Sequence, residues 1–116
     1  MNQQEKLKRI RARCVELMAI AEKRTQGTWN AGASNTIWAS GRPAIAQVSL
    51  SNGTPDSERD ANAAFIAACA DAAESGWKAT IAAIDLMFAM HGLAGIDIYA
   101  LDATGDILAA WPEELL

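Results

Sequence analysis

A chain of 116 residues has the length of one domain, and folding should bury roughly two-thirds of the surface its unfolded form exposes. Hydrophobic residues make up 51% and charged residues 21%, which excludes disorder along the whole chain, and no apolar run approaches the ~18 residues of a membrane-spanning helix. The net charge of −4 is divided: residues 1–24 hold seven of the ten basic residues against three acids, while the remainder holds three basic residues against eleven acids. An acidic body avoids phosphates and attracts basic partner surfaces.

Residues 4–24 are predicted to form a first helix, because Leu7, Ile10, Cys14, Leu17, Met18 and Ala21 recur at spacings of three and four and so share a face. The apolar stretch from Cys14 to Ala21 follows a basic N-terminus but is interrupted by Glu16 and has no exit site, so a cytosolic protein is expected. Gly27 stops the helix, with Lys23 and Arg24 near the negative end of its dipole. Strands are expected within residues 28–50: an extended Thr28-Trp29-Asn30, a turn over Ala31 to Asn35, a strand over Thr36 to Ala39, a second turn over Ser40 to Pro43, and an alternating strand from Ala44 to Leu50. An antiparallel hairpin or three-stranded meander follows from that pattern.

Thr54-Pro55 reads as a helix start, with Thr54 to cap free backbone N–H groups and Asp56, Glu58 and Asp60 at the positive end of the dipole. The helical segment runs over residues 55–91 and carries a stripe of Ala61, Phe65, Ala68, Cys69 and Ala72, whose small residues permit close approach of another element. Trp77, Ile81, Ile84 and Phe88 continue the spacing, and Gly92 is the expected terminal cap. Ser75-Gly76 leaves open one long bent helix or two that meet there, since a mid-helix Gly costs only about 1 kcal/mol against Ala. In the tail, Ile96, Ile98 and Ala100 alternate with Asp97, Tyr99 and Leu101, Asp102 to Asp106 supplies a turn, and Ile107 to Trp111 returns, so a C-terminal hairpin over 96–111 is expected. The fold class is therefore α+β, with the hairpin joining one antiparallel sheet.

The chemistry-bearing residues are few. His91 is the sole histidine; a general base needs a positioned acid, for which Asp85, Asp97, Asp102 and Asp106 are the candidates, but a histidine before a terminal Gly also serves the free carbonyls of a helix end. Asp97, Asp102 and Asp106 lack the offsets and terminal Glu of a calcium loop, and Cys14, Cys69 and His91 lack zinc spacing, so neither metal nor cofactor is expected. The two cysteines read as small apolar residues of a reducing compartment. Lys6, Arg9 and Arg13 repeat at helical spacing and offer a route to nucleic acid, against which stand the acids on that helix and the acidic body. Trp29 and Trp38, beside turn residues, are candidate contacts with a partner, together with Asp97, Asp102 and Asp106.

Gly27-Thr28-Trp29, followed by the expected hairpin and Ala61-Asn62-Ala63-Ala64-Phe65-Ile66-Ala67-Ala68, resembles a group of small phage and prophage accessory proteins with a Gly/Pro-Trp lead-in, a β-hairpin and an Asn-Ala-x-x-Ile-Ala-Ala helix. The resemblance covers roughly residues 25–90. Those proteins usually place a Pro soon after the Ile-Ala-Ala run, where this chain has Cys69-Ala70-Asp71, which lets the helix run on. The resemblance implies a phage setting in a host bacterial cytosol and brings no catalytic residues. The expected function is non-enzymatic protein–protein binding to a host protein or complex, such as anti-CRISPR-like inhibition of a host defence complex. A nucleic-acid-contacting regulator and a small enzyme using His91 with an Asp remain as alternatives, and an uncovered apolar helix face would argue for a homodimer.

Overall fold

The structure, a computed structural model, describes residues 1–24, 26–32, 36–40, 44–47 and 56–116. Helix α1 spans Gln3–Glu22, strands β1, β2 and β3 span Trp29–Ala31, Thr36–Ala39 and Ala44–Gln47, helix α2 spans Asp56–Ala94, and helix α3 spans Asp102–Ala110. Short 3₁₀ turns occupy Ile98–Ala100 and Glu113–Leu115. The class is α+β, as the alternation of patterns predicts. The chain divides into two compact units, one of residues 1–21 and 76–116, the other of residues 22–75; α2 contributes to both.

In the first unit α1 begins at a side-chain cap. Asn2 Oδ1 accepts the Glu5 backbone N–H at 2.8 Å, and the Asn2 amide donates back to the Glu5 carboxylate at 3.3 Å. This reciprocal pair satisfies a helix N–H that has no partner inside the helix. Leu7, Ile10, Cys14 and Ala21 are buried along the predicted face. With Ile84 and Met87 of α2 and Ile98, the first three form the core, and Trp77, Ile81, Phe88, Ile107, Leu108 and Trp111 pack around it.

Helix α2 is continuous through Gly76 and carries on past Gly92 to Ala94. Gly95 is the residue that ends it: its φ of +64° is the left-handed conformation in which a Cβ is disfavoured, and its N–H reaches the His91 carbonyl at 3.0 Å.

The expected C-terminal hairpin is absent. Asp97 Oδ1 accepts the Tyr99 N–H at 3.1 Å and starts a 3₁₀ turn where alternation suggested a strand. Asp102 to Asp106, read as a hairpin turn, forms instead the opening of α3, with Asp102 in its first turn at the positive end of the dipole. Leu101, Thr104, Ile107, Leu108 and Trp111 lie at helical spacing and are all buried or half-buried, so a period of three and four prevails over the shorter alternation. Gly105 sits exposed within the helix.

In the second unit the strands form one antiparallel sheet in the order β1-β2-β3. Trp29 pairs with Ala39, Ala31 with Ile37, and Ile37 with Ala46, with a register shift between Ile37 and Trp38. Ile37 and Ala39 are buried and alternate with half-buried Thr36 and Trp38, the period of two that strands impose. Gly32 permits the Trp38 ring to lie close over the backbone, since a Cβ there would stand 2.1 Å from the ring. On α2 the buried positions of this unit are Ala63 and Ala67, one turn apart. The predicted stripe of Ala61, Phe65, Ala68, Cys69 and Ala72 is exposed, Phe65 by 69%. Alanines lie on both sides of this stretch, and the inward ones are Ala63 and Ala67, so Phe65 does not mark the inward face. The Thr54-Pro55 start, the end of the third strand at Val48 to Leu50 and most of both predicted turns lie outside the described residues.

Candidate functional site

Four of the five basic residues of α1 have a partner within their own unit. Lys6 Nζ donates to the Leu108 carbonyl at 2.8 Å. That carbonyl lies in the last turn of α3, where the dipole is negative and helical carbonyls have no intrahelical partner. Arg9 donates to the Leu116 carbonyl at 2.9 Å, and Arg13 meets Glu16 one turn along at 3.0 Å. Arg11, which the sequence did not single out, forms a two-pronged pair with Asp85 of α2: Nε to Oδ1 at 2.7 Å and a terminal nitrogen to Oδ2 at 3.1 Å. This pairing holds the Asp85 carboxyl below its ordinary 3.8, chiefly through the hydrogen bond from Arg11, with desolvation opposing it and the Arg11 charge adding a smaller pull downward. The predicted Lys6-Arg9-Arg13 stripe is thus largely spent on carbonyls and an acid, and the signal for Lys6 and Arg9 lay in segments far along the chain.

The acids of the tail are placed differently. Asp97, Asp102, Asp106, Glu113 and Glu114 are all exposed, and residues 95–116 contain no basic residue. Asp97 is used by the Tyr99 N–H; no ion pair involves any of these acids among the described residues. Lys6 and Arg9 reach the tail through its backbone carbonyls, so its carboxylates stay available to a partner.

His91 is exposed in the last turn of α2, and its Nδ1–H donates to the Ile96 carbonyl at 2.9 Å. No carboxylate stands within hydrogen-bond reach of the ring among the described residues. Cys14 is buried and Cys69 exposed, and both are free thiols. Burial pushes the Cys14 thiol upward.

In the second unit Trp29 and Trp38 are both half-buried. The Trp29 backbone N–H donates to Asp71 Oδ1 of α2 at 3.0 Å, and the Trp38 ring lies over Gly32. Arg24 pairs with Glu74 at 3.4 Å. The tail acids and the basic helix belong to one unit and the tryptophans to the other.

The chain matches no protein-family model, no curated protein and no solved structure. The phage reading rests on the motifs alone.

No helix of the described residues is long and apolar enough to cross a membrane, and no group of His, Cys, Asp and Glu among them could hold a metal ion.

Proposed function

We propose that this chain is a phage or prophage accessory protein that acts by binding a host protein or protein complex, with anti-CRISPR-like inhibition of a host defence complex as its sharpest form. The observation that carries the reading is the acidic tail, where Asp97, Asp102, Asp106, Glu113 and Glu114 are each exposed on a segment that holds no basic residue and that Lys6 and Arg9 meet only at backbone oxygens. Such a surface is suited to steering onto a basic partner face, including one that otherwise holds nucleic acid, because complementary potentials raise the encounter rate and suppress wrong partners. Direct contact with nucleic acid through α1 is the weaker alternative, since Lys6, Arg9 and Arg13 already have partners. Among the described residues no acid stands beside His91 to orient the ring, which disfavours a His91-based enzyme.

The test is capture from host lysate with the tagged full-length chain, in parallel with a variant carrying Asp102→Asn, Asp106→Asn, Glu113→Gln and Glu114→Gln. A stable partner retained by the natural chain at low salt, and lost by the neutralised variant with unchanged circular dichroism, supports the reading. Equal recovery by both, or recovery of no partner, counts against it. A salt-sensitive shift of labelled nucleic acid by the natural chain would favour the alternative.

A further inference from the structure

The C-terminal half of α2 buries one side and leaves the other open. Trp77, Ile81, Ile84 and Phe88 face the core, whereas Ala79, Ala82, Leu86, Ala89 and Leu93 recur at spacings of three and four and are all exposed. Leu86 is 61% and Leu93 90% accessible. Every residue of this unit is described, so none of its own segments is left unplaced to cover the stripe. Spacing of this kind is the seam of a coiled coil, where each apolar residue enters a hole on a facing helix.

We propose that this stripe is the interface of a homodimer in which α2 pairs with α2 of a second copy in the antiparallel sense. The argument for a second copy is self-complementarity. A two-fold axis perpendicular to the helix, level with Ile84, sets Leu86 opposite Ala82 of the second copy and Ala82 opposite its Leu86. Ala79 and Ala89 then oppose one another, and Leu93 extends over the turn that precedes Ala79 of the other helix. Each leucine meets a small side chain, so the backbones approach closely without a clash or a void. Parallel pairing would instead stack Leu86 on Leu86 and Ala82 on Ala82, so adjacent layers would ask for unequal helix separations.

The charges repeat the same symmetry. Asp85 adjoins Leu86 beside the axis and is already paired with Arg11 at 2.7 Å. The two-fold therefore brings together two pairs that are each already neutralised within their own copy, and not two bare carboxylates. A lipid surface would be recognised by a basic flank, and the stripe has mixed charge at Lys78 and Asp85. The proposal is independent of the acidic tail, which lies on other residues.

Sedimentation equilibrium of the full chain over a dilution series tests it, with circular dichroism as the control for folding. The natural chain should sediment at twice its chain mass and dissociate reversibly. Leu86→Glu and, separately, Leu93→Glu should each raise the dissociation constant by about 30-fold or more, the size of a hot-spot loss, with helicity retained. Ala82→Leu should weaken the dimer too, because it places leucine against Leu86; on a merely adhesive stripe it would strengthen association. A natural chain that stays monomeric at every concentration overturns the proposal, even where the stripe captures a different protein. So does a dimer that survives both glutamate variants, or one tightened by Ala82→Leu.

Discussion

Thr104 is the buried polar side chain of the described residues, and it belongs to the segment where alternation misled. Its hydroxyl donates to the Ile98 carbonyl, joining α3 to the 3₁₀ turn before it, and lies 3.5 Å from Met87 Sδ. Thr104→Val keeps the shape and removes the donor. The Leu101 N–H still reaches that carbonyl at 3.3 Å, so the acceptor is not orphaned and the loss should be about 1 kcal/mol. A lower urea midpoint at an unchanged slope checks this. Asp85 carries a pH dependence. Its folded pKa is depressed by Arg11, so the pair contributes stability above the ordinary carboxylate value, and that contribution is lost as pH falls through the lower folded value. Thermal midpoints of the natural chain and Asp85→Asn should differ at neutral pH and converge in acid. Both partners are about half exposed, so added salt should narrow the neutral gap.

At the scale of elements, three glycines demand different treatment. Gly76 and Gly105 lie inside α2 and α3 with open space where a Cβ would project, whereas Gly95 holds a positive φ. Gly105→Ala should stabilise by up to about 1 kcal/mol, the helix-interior difference between the two residues. Gly95→Ala should destabilise, because alanine must leave the left-handed region and surrender the α2 terminus. Chemical denaturation of the two variants should move midpoints in opposite directions. The same comparison explains what could be read from the sequence. The inward face of α1 and the Trp77-to-Phe88 face were legible because large apolar residues recur at one period, and the strands because turn residues bracket them. The tail was not, since Ile96, Ile98 and Ala100 satisfy a period of two over a few residues, and Gly105 resembles a turn glycine. Only the longer run from Leu101 to Trp111 distinguishes the helix. The outward Phe65 was misread because alanines recur all round this half of α2, so composition does not tell the inward Ala63 and Ala67 from the outward Ala61, Ala64, Ala68 and Ala72. Among site residues, the tail acids could be named from composition, but the partners of Lys6, Arg9 and Arg11 come from contacts distant in sequence.

For the molecule as a whole, the two free thiols report on different events. Cys69 is exposed and Cys14 lies in the core with Leu7, Ile10 and Ile84. Under native conditions an alkylating reagent should modify Cys69 rapidly and Cys14 only through opening of its unit, so the slow rate should rise steeply with urea. Mass spectrometry of quenched samples separates the two sites, and equal native rates would contradict the core assignment. Helix α2 gives that opening a further consequence in time. Forming the first turn of a helix is the costly step, since several dihedrals are fixed for one hydrogen bond, while each later residue adds a bond of its own. Because one unbroken run of hydrogen bonds from Asp56 to Ala94 serves both units, a single nucleation can start them both. Whichever unit orders its stretch first presents the other with a helix end ready to be extended.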